Sequence, residues 1–172
     1  MDLKFTPQEE ALRKEFNDFF QEEMKKAPPQ WWISLEAMFG DDACWEFHKA
    51  TAKKLGAKGW LSRAWPKEYD GEGASLIEQF IFSEVMGYYK AAGVDPWGVN
   101  MLAPTLLVSA NEEQKKEHLP YIAKGERFWT QLWSEPGSGS DLASLVTRAV
   151  RDGDNYIING QKIWTSGGHR AD

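Results

Sequence analysis

The pattern of apolar and polar positions changes near residue 126 of this 172-residue chain. Before that point, apolar residues recur every three or four positions, as they do on one face of an α-helix. After it, apolar and polar residues alternate in short runs that Asp-Gly and Asn-Gly pairs separate, which is typical of antiparallel hairpins. The sequence therefore predicts an α+β protein, with an all-α helical domain over residues 1–126 followed by an antiparallel β domain over residues 127–172.

Capping boxes predict where several helices begin. In such a box, a small polar side chain and a Glu or Gln three positions later satisfy each other's backbone amides. The chain has three of these pairs, which are Thr6 with Glu9, Ser75 with Glu78, and Asn111 with Gln114. Together with the apolar spacing, they predict five helices, at about residues 7–27, 42–55, 76–88, 99–110 and 112–123.

Two of these helices have strongly apolar faces. The first places four apolar residues at helical spacing, which are Leu12, Phe16, Phe19 and Phe20. The helix after Ser75 has a broader apolar face, which consists of Leu76, Ile77, Phe80, Ile81, Val85 and Tyr88. We therefore expect that helix to be buried on much of its circumference.

The β part is predicted to hold four strands in a meander. They cover residues 127–133, 145–151, 155–158 and 161–166, with turns at Asp152-Gly153 and Asn159-Gly160. Four strands without a closing partner would leave an exposed edge, which proteins avoid. We therefore expect the β domain to be cut short at residue 172.

Composition and charge narrow the class of protein. The chain is 42% hydrophobic, so it can bury a core, and its net charge of −6 argues against nucleic acid or an anionic membrane as the main partner. The longest uncharged run, residues 96–111, is too short to span a bilayer. Because the N-terminus lacks a signal-peptide core and Cys44 is the single cysteine, we expect a soluble cytoplasmic protein without disulfides.

Several kinds of catalytic site are absent from the sequence. The three histidines lie far apart and lack companions at metal-ligand spacing, so no metal site is predicted. Ser140 and Asp141 are adjacent, but without a positioned histidine they do not form a nucleophilic triad. Glu135, at the end of a predicted strand, is a candidate ligand contact because loops often carry function.

The residues favour a two-part binding site. The first part is the Gly- and Ser-rich loop from Ser134 to Asp141, whose backbone amides can turn toward one anion. The second is Trp164-Thr165-Ser166, at the end of a strand in the same predicted sheet. An indole and small hydroxyls beside an anion-binding loop suit a ligand with a flat ring and a phosphate, such as a flavin dinucleotide.

Specific motifs give the chain a resemblance to a known family. They are the segment 131–141 (QLWSEPGSGSD), Thr147-Arg148-Ala149, the segment 152–164 (DGDNYIINGQKIW), the segment 111–115 (NEEQK) and the segment 65–71 (WPKEYDG). In these motifs the chain resembles the N-terminal and middle domains of the acyl-CoA dehydrogenase family, over nearly all of its length. The resemblance implies a middle β-barrel domain that is truncated here, and a C-terminal four-helix domain that this chain does not contain.

The resemblance also implies FAD as cofactor and assigns residues to it. Gln131, Leu132, Trp133 and Ser134 would run along the flavin, Gly139 and Ser140 would reach the pyrophosphate, and Trp164 would flank the isoalloxazine. The family more often has Trp-Ile-Thr at residues 164–166, so either Thr165 or Ser166 could supply the hydroxyl near flavin N5, and position favours Ser166. The acyl-CoA substrate would contact Ser140 and the helix that carries Met101, Leu102 and Thr105.

The reaction implied is α,β-dehydrogenation of an acyl-CoA thioester to the trans-2-enoyl-CoA, as in fatty acid metabolism. The family's catalytic glutamate belongs to the C-terminal domain, so we expect the base beyond residue 172 and the chain alone to be inactive. Electron-transfer flavoprotein or a similar acceptor, and a homotetramer when full length, are expected by the same resemblance. The alternatives are an acyl-CoA oxidase or flavin monooxygenase relative, and a non-catalytic subunit that a partner chain completes.

Overall fold

The structure is a computed structural model that describes residues 4–34 and 36–172. The chain divides into two compact units, Met1–Phe128 and Trp129–Asp172. The first is helical and the second contains a small antiparallel sheet. This order confirms the predicted α+β class.

The described part of the helical unit contains six α-helices. They are α1 (Pro7–Glu23), α2 (Ala37–Gly40), α3 (Asp42–Ala57), α4 (Leu76–Tyr88), α5 (Ala103–Ser109) and α6 (Glu112–Ala123). Short 3₁₀ segments lie at Met24–Lys26, Pro29–Trp32 and Lys67–Tyr69, and a π-helical turn covers Gly98–Leu102. The five predicted helices are all present, and α2 is a further short one.

The three predicted capping boxes are confirmed, at the starts of α1, α4 and α6. At α1, the Thr6 amide donates to Glu9 at 2.7 Å, and the Glu9 amide donates to the Thr6 hydroxyl at 3.3 Å. Two boundaries differ from prediction. The first helix ends at Glu23 because the chain tightens into a 3₁₀ turn before Pro28 and Pro29, and α5 begins at Ala103 because a π turn precedes it.

The main core lies where α1 packs on α4. Seven buried side chains form it, which are Phe16, Phe20, Leu55, Trp60, Leu61, Ile81 and Val85. The rings of Phe16 and Trp60 meet edge to face with centroids 4.7 Å apart, a favoured arrangement of aromatic side chains. Arg13 and Glu84 join the same two helices by an ion pair of 3.0 Å.

The prediction that α4 is buried on much of its circumference is wrong for this chain. Ile81 and Val85 are buried, but Leu76 is 82% exposed and Tyr88 is 79% exposed. Ile77 and Phe80 are exposed as well. The reason is that the core of the described residues covers only one side of the helix, so the width of an apolar face does not fix how much of it is buried.

The ends of α3 and α6 approach each other closely through glycines. A Cβ on Gly56 would lie 2.4 Å from the carbonyl oxygen of Lys124. Gly125 has a positive φ of 62°, and a Cβ there would lie 2.6 Å from the backbone of Ala52. Backbone therefore meets backbone at this contact, which only residues without a Cβ permit.

In residues 129–172, all of which the structure describes, the sheet has two strands. β1 (Arg148–Asp152) pairs antiparallel with β2 (Asn155–Asn159), with Val150 opposite Ile157. The hairpin predicted at Asp152-Gly153 is confirmed, and Gly153 has a positive φ of 61°.

The strands predicted at residues 127–133 and 161–166 are not formed as regular strands. Segments 130–134 and 162–166 lie beside each other, but a single backbone hydrogen bond joins them, from Ile163 to Ser134 at 2.9 Å. Regular strands need repeated backbone hydrogen bonds along their length. The sheet of this unit contains only β1 and β2, so it offers the two segments no further strand to pair with. Strand-forming residues predicted extended backbone here, but a regular strand also requires neighbouring strands.

Candidate functional site

The structure brings the two predicted parts of the site together within the Trp129–Asp172 unit. Besides the bond from Ile163 to Ser134, the Thr130 hydroxyl donates to the carbonyl oxygen of Ser166 at 3.0 Å. Lys162 Nζ donates to the carbonyl oxygen of Trp133 at 2.8 Å. Residues 131–134 and 164–166 therefore form one edge, which we call the paired edge.

Trp164 has the most unusual conformation on the paired edge. Its φ is 57°, in the left-handed region that bulky residues rarely adopt, and its side chain is 87% exposed. Trp133 and Leu132 are also mostly exposed. A strained residue that presents a large apolar ring to solvent indicates a ligand surface rather than a packing role, since no packing compensates the strain.

The Ser134–Asp141 loop is closed by a tight turn. The amides of Glu135 and Ser138 each donate to the other residue's carbonyl oxygen, at 2.8 and 3.1 Å. The Ser138 hydroxyl donates to the carbonyl oxygen of Asp141 at 2.5 Å. The turn is therefore held by bonds that leave the second half of the loop open.

That second half has unused donors. The backbone amides of Gly139 and Ser140, and the Ser140 hydroxyl, donate to no other residue in the described chain. A Cβ built on Gly139 would meet nothing within 4 Å, so this glycine borders open space. Free donors beside open space suit an anion such as a phosphate, and this donor set fits the pyrophosphate of FAD.

Thr165 and Ser166 differ in what their side chains contact. The Thr165 methyl group lies in the turn that follows, where it would be 3.0 Å from a Cβ built on Gly168. Ser166 is exposed, and its hydroxyl forms no hydrogen bond with a described residue. The packing of Thr165 into its own turn leaves Ser166 as the more available donor.

Glu135 is buried and binds three groups of its own unit. Its carboxylate accepts from the amides of Val146 at 2.7 Å and Thr147 at 2.9 Å, and from Lys162 Nζ at 3.0 Å. Its residue surface is only 4% exposed. Glu135 therefore joins the loop, the start of β1 and the paired edge, and the prediction that it contacts a ligand is replaced by this internal role.

These contacts make the Trp129–Asp172 unit sensitive to acid. Contacts with Thr147, followed by those with the Val146 amide and Lys162, lower the pKa of Glu135 from 4.5 to about 2. Since the folded pKa is the lower one, this stabilisation is fully present above pH 4.5 and is lost as the pH falls toward 2. We expect the protection factors of the β1 and β2 amides, measured by NMR and corrected for the intrinsic pH dependence of exchange, to fall between pH 5 and 2.5.

The predicted substrate residues lie on the helical unit. Met101 and Leu102 end the π turn, and Thr105 lies one turn later in α5. Met101 is 38% exposed, and its carbonyl oxygen accepts from the Thr105 hydroxyl at 2.8 Å. π turns occur often at functional sites, and this one presents Met101 at the surface.

Sequence reasoning missed Thr130 and Lys162 as residues that hold the paired edge together. Thr130 donates to Ser166, 36 positions away, and Lys162 donates to Trp133, 29 positions away, so no local spacing reveals the pairs. The one sequence feature that could have drawn attention to Lys162 is its place directly before Ile163 and Trp164 in the predicted strand at residues 161–166. Elsewhere in the described residues, no three His, Cys, Asp or Glu side chains gather as a metal ion requires, and no helix has the length and apolarity to cross a membrane.

Comparison with known proteins identifies the class to which this fold and site belong. The model of the acyl-CoA dehydrogenase N-terminal domain matches residues 6–126, and that of the middle domain matches residues 130–172. The chain belongs to the acyl-CoA dehydrogenase family.

Individual relatives agree with this assignment. The acyl-CoA dehydrogenase FadE26 of Mycobacterium tuberculosis is 40% identical over 166 residues, which are 96% of this chain and 40% of that protein. The structure of the Tcur3481-Tcur3483 steroid ACAD has a TM-score of 0.83 at 38% identity, covering 100% of this chain and 43% of the matched one. The ChsE4-ChsE5 complex of M. tuberculosis has a TM-score of 0.79 at 39% identity, covering 96% and 40%. The chain thus spans about two fifths of the length of these relatives.

Proposed function

We propose that this chain supplies the FAD-contacting and acyl-contacting parts of an enzyme that dehydrogenates an acyl-CoA thioester to the trans-2-enoyl-CoA. Residues 1–126 would be the N-terminal domain and residues 127–172 the start of the middle β-barrel domain. The catalytic base would come from residues outside these 172. Electron-transfer flavoprotein would accept the electrons.

The exposed, left-handed Trp164 carries this proposal. Its ring stands on the paired edge next to a loop whose Gly139 and Ser140 amides are unused. An aromatic surface and an anion-binding loop in one small unit match the two ends of a flavin dinucleotide. The family assignment supports the choice of FAD over other ligands with a ring and a phosphate.

Each residue of the proposed site has a distinct task. Trp164, with Leu132 and Trp133, would cover the flavin ring and exclude water from it, while Ser134 and Gln131 would continue that edge. Gly139 and Ser140 would donate to the pyrophosphate, and Ser140 would also contact the thioester. Met101, Leu102 and Thr105 would line the acyl chain. Oxidation at Cα–Cβ is the chemistry that a bound FAD supplies.

A partner chain could complete the enzyme instead of a second copy. Two of the similar structures are pairs of differently named components, Tcur3481 with Tcur3483 and ChsE4 with ChsE5. This observation favours a heteromeric assembly over the homotetramer that the sequence predicted. One of those pairs is a steroid ACAD, so a steroid-linked acyl-CoA is the substrate class to test first.

A chimeric protein, which we call the graft, tests the proposal within an assembly that also contains the remaining domains of the enzyme. Residues 1–172 would replace the matching 43% of the Tcur component, which would be co-expressed with its partner. We expect the purified graft to carry flavin absorbance and to form enoyl-CoA, whereas the 172-residue chain alone should give no turnover. Turnover by the isolated, mass-verified chain would show that the base lies within it.

The graft also decides between Thr165 and Ser166. Because a single hydrogen bond is lost, Ser166→Ala should weaken FAD binding roughly three- to tenfold. Thr165→Ala should leave FAD affinity unchanged, since the Thr165 side chain packs into its own turn. Flavin fluorescence titration of the apo-grafts measures both affinities, and the reverse order would assign the hydroxyl to Thr165.

A further inference from the structure

A cavity of about 440 Å³ lies in the helical unit. Described residues that line it include Trp31, Met38, His48, Met86, Val94 and Pro96. Its volume falls within the range of about 300–1,000 Å³ that is usual for small-molecule pockets. Most of this wall is apolar, so its few polar groups decide what it can bind.

His48 is the buried polar group of this wall. It is 2% exposed, and its Nδ1 accepts a hydrogen bond from the Gly93 amide at 3.2 Å. Burial lowers the pKa of His48 to about 4, so the ring is neutral at pH 7. With Nδ1 as the acceptor, the proton lies on Nε2. Nε2–H has no hydrogen-bond partner among the described residues.

Stacking holds this donor in place. The His48 ring lies between the indoles of Trp45, with centroids 5.6 Å apart at 13°, and Trp31, at 6.2 Å and 20°. Trp31 is itself anchored, because its Nε1 donates to the carbonyl oxygen of Lys90 at 2.8 Å. These contacts fix the plane of the imidazole, and His48 lines the cavity, so its unpartnered Nε2–H is a donor that a ligand in the cavity can meet.

We propose that this cavity binds a small, uncharged apolar ligand, of the ketone class, whose carbonyl oxygen accepts a hydrogen bond from Nε2 of His48. Ser34 and Lys90 also line the cavity, but both are exposed to solvent, whereas the buried donor of His48 is neutral. An uncharged ligand therefore suits the buried part of the wall. A flat ring suits the indole wall of Trp31. This site is independent of the proposed dehydrogenase function, and either can fail without the other.

Two bicyclic probes of matched shape test the proposal on the 172-residue chain. 1-Indanone carries the carbonyl oxygen, and indane lacks it. We expect indanone to bind roughly three- to tenfold more tightly than indane, as one hydrogen bond predicts. Tryptophan fluorescence gives the affinities, and the ¹⁵N shift of His48 Nε2 should move with indanone alone.

Two variants separate the donor from the fold. His48→Asn keeps an acceptor near the place of Nδ1 but removes Nε2–H, so it should bind indanone no better than indane. His48→Gln restores a donor near Nε2 and should recover part of the preference. Equal binding of the two probes by the wild-type chain, binding of neither, or an unmoved Nε2 shift would overturn the proposal. The wild-type comparison stands even if a variant does not fold.

Discussion

Replacing Glu135 with alanine should abolish the ordered structure of the Trp129–Asp172 unit while the helical unit stays folded. The change leaves the amides of Val146 and Thr147 without their acceptor and separates Lys162 from its charge partner. Loss of a carboxylate that accepts three hydrogen bonds is among the larger defects that one substitution can create. Limited proteolysis should show cleavage within residues 129–172 that is faster by on the order of tenfold or more.

Two further variants make this result specific. Glu126→Ala removes an exposed acid whose side chain has no bond to a described residue, so it should leave the cleavage rate unchanged. Glu135→Gln keeps an acceptor but cannot ionise, so the acid-dependent loss of amide protection in β1 and β2 should disappear. Protection of β1 and β2 in Glu135→Ala equal to that of the wild-type chain would contradict the internal role of this carboxylate.

Gly56→Ala should destabilise the helical unit by about 1–3 kcal/mol, as overpacking of a tight contact does. The new Cβ would meet the Lys124 carbonyl oxygen at 2.4 Å, and both partners are backbone, so neither can move without shifting a helix end. Urea unfolding followed by far-UV circular dichroism would measure the free energy of unfolding.

Gly87→Ala is the matched control within α4. A Cβ there meets nothing within 4 Å, and φ is not positive. Alanine favours the helix over glycine by about 0.5–1 kcal/mol, so this variant should be more stable than the wild-type chain. Equal effects of the two substitutions would show that the α3–α6 contact is looser than described.

Local signals predicted the helical unit well. Each capping box needs only residues three positions apart, and all three are formed as predicted. The apolar face of α1 likewise predicted that Phe16 and Phe20 lie in the core. The burial of α4 was not predictable in this way, because the exposure of Leu76 and Tyr88 depends on which elements pack against that helix.

The β unit shows why long-range pairing limits such predictions. Strand-forming residues at 127–133 and 161–166 indicated extended backbone but could not supply the strand neighbours that a ladder needs. The role of Glu135 was hidden because its partners lie 11, 12 and 27 positions away. The sequence did indicate that Trp164 and the Gly139–Ser140 loop matter, but the left-handed backbone of Trp164 is visible only in the structure.

The central claim, that the paired edge contacts FAD through Trp164, is tested most directly by the FAD affinity of a Trp164→Ala graft in the Tcur assembly. Loss of the indole should weaken binding about tenfold or more, because both apolar burial and ring stacking are removed. Trp32→Ala, which removes an exposed indole on the helical unit, should leave the affinity unchanged. An assembled Trp164→Ala graft that binds FAD as tightly as the unmodified graft would contradict the claim.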